Sequence, residues 1–100
     1  MKKIYDEPQE VFFGRADAHI HLSNDQAKNA KIGNVSASML FGAARYNAYA
    51  AACSFTSNPE FEANKEKVIE ALVAEYRRML SQNVSDYISN FDTYIVQKSD

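Results

Sequence analysis

The sequence has no tryptophan, one cysteine, two prolines and three glycines in 100 residues. The lone Cys53 excludes an internal disulfide, so the fold must rest on apolar burial, and a single thiol suits a reducing compartment. Three scattered glycines exclude a glycine-rich phosphate loop. The formal net charge is only −2, which removes the basic field that would gather nucleic acid or an anionic membrane. The opening segment MKKIYDEPQE has no apolar run behind its two lysines, so it does not read as a signal peptide. The most telling absence is local. From Ile32 to Pro59, 28 residues, Arg45 is the only formally charged side chain, and after Pro59 neither glycine nor proline occurs again.

What is present reads as helix. Met1 to Glu7 is short and charged, the pattern of a flexible arm. Pro8 suits a first helical turn, and Phe12, Phe13, Ala16, His19, Ile20, Ser23 and Ala27 recur at the three-four spacing of an amphipathic helix over Gln9–Ala30. Gly14 weakens its first turns. Lys31-Ile32-Gly33-Asn34 reads as a stop, with Gly33 free to take a positive φ, and Asn34 or Ser36 as the next N-cap. A second helix follows to about Phe55. Asn58 reads as the cap of the third, with Pro59 at its first position and Glu60 and Glu62 at the positive end of the dipole.

From Phe61 to Ile95 the apolar positions keep phase without a break signal, drifting slowly as they do when the period is nearer 3.5 than 3.6. One long helix, Pro59–Ile95, is the first reading. An interruption at Ser81-Gln82-Asn83, giving a short fourth helix, is the alternative. The expected fold is therefore a single all-α domain over residues 1–100: a three-helix bundle with a central apolar helix and a long C-terminal one. The central helix has no polar face, so it should be buried in a core or a membrane. Its middle holds Arg45 and Asn47 and much of it is alanine, short of the roughly 20 strongly apolar residues a span needs. A core helix, nearly encased by the rest of the chain, is the expectation.

Particular residues also resemble a family. Val35-Ser36-Ala37-Ser38-Met39-Leu40, then Ala43-Ala44-Arg45-Tyr46-Asn47-Ala48-Tyr49, resemble the core of a small, uncharacterised helical family of proteobacterial proteins. Leu22 to Gln26, Tyr76 to Leu80, Asp86-Tyr87-Ile88 and Asn90-Phe91-Asp92 are similar too, so the likeness runs from about Val11 to Ile95. The family is a domain of unknown function. The resemblance implies a bacterial, cytoplasmic helical protein and brings no catalytic residues.

Candidate chemistry is sparse. Asp17-Ala18-His19-Ile20-His21 looks like the Asp-x-His-x-His opening of metal-dependent amidohydrolases, but that fold is a barrel of more than about 200 residues. On a helix, His19 and His21 are about 200° apart and cannot share a metal. Cys53 has alanines before it and no histidine close in sequence, which reads as a small buried hydrophobe and not as an activated thiolate. No Glu-x-x-His pair marks a carboxylate-bridged metal site. No metal or cofactor is expected. Arg77-Arg78, with Lys65 and Lys67 upstream, are interleaved with Glu62, Glu66, Glu70 and Glu75, the pattern of a solvated, salt-bridged helix face.

Arg45 and Asn47 are the exception. A buried arginine needs a carboxylate, for which Asp17, Glu70 and Glu75 are candidates, and Asn47 could set register as buried asparagines do in coiled coils. With Tyr49 they also define the alternative to a structural role, a small-molecule site. The leading expectation is a non-enzymatic, self-associating interaction or structural module. Val84, Tyr87, Ile88, Phe91, Tyr94 and Ile95 continue the apolar stripe past the reach of the two shorter helices and are expected to form a homodimer contact.

Overall fold

A computed structural model describes residues 6–95, which form five helices. The fold is all-α. The chain divides into two units, Met1–Ala50 and Ala51–Asp100, with the boundary two residues before the end of the second helix. Most of the arm expected over residues 1–7 lies outside the described residues.

In the first unit, α1 (Gln9–Gln26) is led by Pro8, whose extended backbone and carbonyl start the ladder by accepting from the N–H groups of Val11 and Phe12. Glu7 reaches forward to take two hydrogen bonds from the Arg15 guanidinium, at 2.8 and 3.0 Å. Of the predicted three-four stripe, Phe12, Ala16 and Ser23 of α1 and Ala27 just after it are half-buried, whereas Phe13, His19 and Ile20 are exposed. The helix stops four residues earlier than expected. Lys28 and Asn29 donate to carbonyls three residues back, a tightening of the last turn that ends it before Ala30.

α2 (Ile32–Ala52) starts earlier than the cap residues suggest. The Lys31 carbonyl accepts from Asn34 and Val35, so Gly33 and Asn34 lie inside the first turn. No glycine among the described residues has a positive φ, and the stop assigned to Gly33 is replaced by a start. A connection as short as Ala27–Lys31 brings α1 and α2 together near their joint, where Ser23 Oγ meets Met39 Sδ at 3.6 Å. Val35, 7% exposed, is the buried apolar residue there.

In the second unit, α3 (Asn58–Ala63) is capped by Ser57, not Asn58. The extended Ser57 backbone lets its Oγ accept from the Glu60 N–H at 3.3 Å, while Glu60 Oε1 accepts from both the N–H and the hydroxyl of Thr56 at 3.0 Å. A cap at Asn58 would move Glu60 out of this reciprocal arrangement. α4 (Lys65–Ser89) runs unbroken through Ser81-Gln82-Asn83, so the interruption weighed there is absent. The breaks fall instead at Asn64 and at Asn90, before the four-residue α5 (Phe91–Tyr94).

The described helices bury very little. α2 was expected to be encased, yet Phe41 and Tyr46 are 69% and 67% exposed, and Val35 is its only buried residue. Cys53 is also exposed. α2 ends at Ala52, which leaves Cys53 in the following turn and off any packed helix face.

Candidate functional site

Arg45, Asn47 and Tyr49 all lie exposed on α2. Among the described residues Arg45 forms no ion pair. Of its proposed partners, Glu75 is taken by Arg78, three residues along the same helix. At about 100° per residue, Arg45 and Asn47 project about 200° apart, on opposite sides of α2. Tyr49 packs sideways on Tyr46, with ring centroids 5.5 Å apart and planes at 48°. The two rings share one strip of α2 because they are three residues apart.

His19 and His21 are both exposed on α1. Among the described residues no three His, Cys, Asp or Glu side chains come close enough to share a metal. Among them, too, no helix is long and apolar enough to cross a membrane. The described structure exposes a large apolar surface.

That surface lies on α1, on α2, where Ile32, Phe41, Tyr46 and Tyr49 are 61–75% exposed, and again along α4 and α5. Along α4, Ile69, Leu72, Val73, Tyr76 and Leu80 remain 40–59% exposed although they recur at helical spacing. The stripe continues through Val84, Tyr87, Ile88, Phe91, Tyr94 and Ile95, which are 43–72% exposed. α5 is fixed to the end of α4 by a small polar cluster. Asn90 Nδ2 donates to both the Asp86 carbonyl and Oδ1 at 3.0 Å, and the Tyr94 hydroxyl donates to the same Oδ1 at 3.4 Å. The Tyr87 and Tyr94 rings meet edge to face at 4.9 Å. Donation to Asp86, reinforced by that carboxylate's charge, holds the Tyr94 phenol above its ordinary titration range. The C-terminal apolar residues are therefore held in place locally while their outer faces stay open. No sequence signal marked the Asp86–Asn90–Tyr94 cluster, because its four-residue spacing is also that of any solvated helix face.

With this geometry the comparisons agree. Residues 12–88 match the family described as Protein of unknown function (DUF3144). The chain belongs to the DUF3144 family. The NMR structure of the protein NB7890A from Shewanella sp is similar over 93% of this chain and 100% of that one, at 36% identity and a TM-score of 0.73. No curated protein matches the chain. The DUF3144 match spans the resembling stretch Ala43–Tyr49, the similar NMR structure supports the fold, and neither names a reaction.

Proposed function

We propose that this DUF3144 chain is a non-enzymatic helical module that self-associates, most simply as a two-fold dimer, and works as an interaction or structural element of the bacterial cytoplasm. One observation carries the reading. The apolar residues from Val84 to Ile95 are ordered by the Asp86–Asn90–Tyr94 cluster yet stay 43–72% exposed. A contiguous apolar surface of this kind on a water-soluble chain marks a contact with another molecule. A second copy is the simplest partner, since homodimers are the commonest assemblies. The Shewanella origin of the similar NMR structure and the single thiol both favour a bacterial, reducing setting.

Light scattering on the full chain tests this. The wild type should run as a dimer at micromolar concentration, and an Ile88→Glu/Phe91→Glu double variant should run as a monomer with its helical circular dichroism retained. A wild type that is monomeric across that range would remove the proposal.

A further inference from the structure

Self-association needs a geometry, and the middle of α4 carries one. At about 100° per residue, Ile69, Val73, Tyr76 and Leu80 fall within about 60° of arc. Leu72 and Met79 form one shoulder of this stripe, and Glu70 and Arg77 form the other. Glu70 and Arg77 have opposite charge, stand one heptad apart and are both exposed. Neither belongs to an ion pair among the described residues, whereas Glu75 and Arg78 pair with each other away from the stripe.

We propose that this face is the two-fold interface of a homodimer in which α4 packs antiparallel on α4 of a second copy. The proposal rests on the self-associating reading above and gives it a direction. In an antiparallel pair, like shoulders face each other with positions reversed. Glu70 then meets the partner's Arg77, and Arg77 meets the partner's Glu70. The same register sets Ile69 on the partner's Leu80, Val73 on the partner's Tyr76, and Leu72 beside the partner's Met79. All these contacts follow from a single axis passing near Ala74. A parallel pair would face Glu70 with the partner's Lys65 but would leave Arg77 against the partner's Leu72.

The paired region from Ile69 to Leu80 is about 17 Å long. Beyond it, Val84 and Tyr87 of each copy run past the partner's Lys65 towards the partner's α3. The C-terminal apolar segment thus lies at each end of the same assembly. Charge complementarity chooses a second copy as the occupant, because each chain supplies both the acid and the base that the other requires.

Charge reversal on the full-length chain tests the geometry, read by sedimentation equilibrium with helicity monitored in parallel. Glu70→Arg alone and Arg77→Glu alone each create two like-charge contacts and should weaken the dimer about ten-fold or more. The Glu70→Arg/Arg77→Glu double variant should recover wild-type association. Mixing the two single variants should give a heterodimer tighter than either alone, since every contact is then between opposite charges. Association unchanged by the single variants, or no gain on mixing or in the double variant, overturns the antiparallel pairing and leaves self-association standing. A full-length chain that stays monomeric overturns both.

Discussion

Three asparagines turn their amides onto the carbonyl four residues back: Asn64 to Glu60 at 2.9 Å, Asn83 to Met79 at 2.8 Å, and Asn90 to Asp86 at 3.0 Å. Such bonds compete with the helical ladder. At Asn64 and Asn90 the backbone has moved to φ −106° and −125°, and the helix is interrupted; at Asn83 the ladder survives. The apolar spacing ran smoothly across both breaks and neither carries glycine or proline, so periodicity showed one helix where there are three. Arg45 teaches the same lesson from the other side. Its apolar surroundings in sequence pointed to burial, because periodicity reports what a helix could bury and not what covers it. Exposed as it is, Arg45→Met should change stability by less than about 0.5 kcal/mol. Replacing a buried, paired arginine would instead cost about 3–5 kcal/mol, because its carboxylate partner is left buried without a counter-charge. Urea unfolding of the two proteins at one concentration separates these outcomes.

At the scale of the element, the helices begin where backbone donors find acceptors, and the apolar pattern supplies only the approximate span. The bodies of α1, α2 and α4 were legible because three-four spacing persists over many turns. Their ends were less so, since Ser57 and Asn58 are both good caps and only the position of Glu60 decides between them. The start of α1 adds an electrostatic tether. Hydrogen bonding from Arg15 holds the Glu7 carboxyl below the ordinary glutamate range, against a smaller opposing effect of partial burial. A depressed folded pKa means that the tether's stabilisation is fully present above the ordinary glutamate value. It is lost as pH falls through the lower, folded-state value. NMR titration should therefore find Glu7 with the lower midpoint in the wild type and an ordinary one in Arg15→Gln. Equal midpoints in the two proteins would mean that the pair does not persist in solution.

For the molecule, the proposed pairing of open apolar faces would make stability a property of concentration. If two copies supply each other's cover, unfolding is coupled to dissociation and the thermal midpoint must climb with protein concentration. A hundred-fold dilution of the wild type should lower Tm by several degrees, and the Ile88→Glu/Phe91→Glu variant should show a lower Tm that dilution leaves in place. A wild-type Tm independent of concentration would mean that the chain is stabilised without a partner. The sequence marks Val84, Tyr87, Ile88, Phe91, Tyr94 and Ile95 as an apolar continuation of the last stripe, and these residues are exposed in the structure. Arg45 and Asn47 are near neighbours in the chain but lie on opposite sides of the helix, because two residues turn it by about 200°.

Cys53 gains a use from its position. It is the chain's only thiol, and it stands exposed in the turn just after α2. A nitroxide or fluorophore carrying a maleimide can be attached there without altering a single codon. In a two-fold assembly the labels come as one symmetric pair, so a dipolar spectroscopy experiment would return one distance and not a set. Each charge-reversal variant could then be read by whether that distance persists, shifts or vanishes.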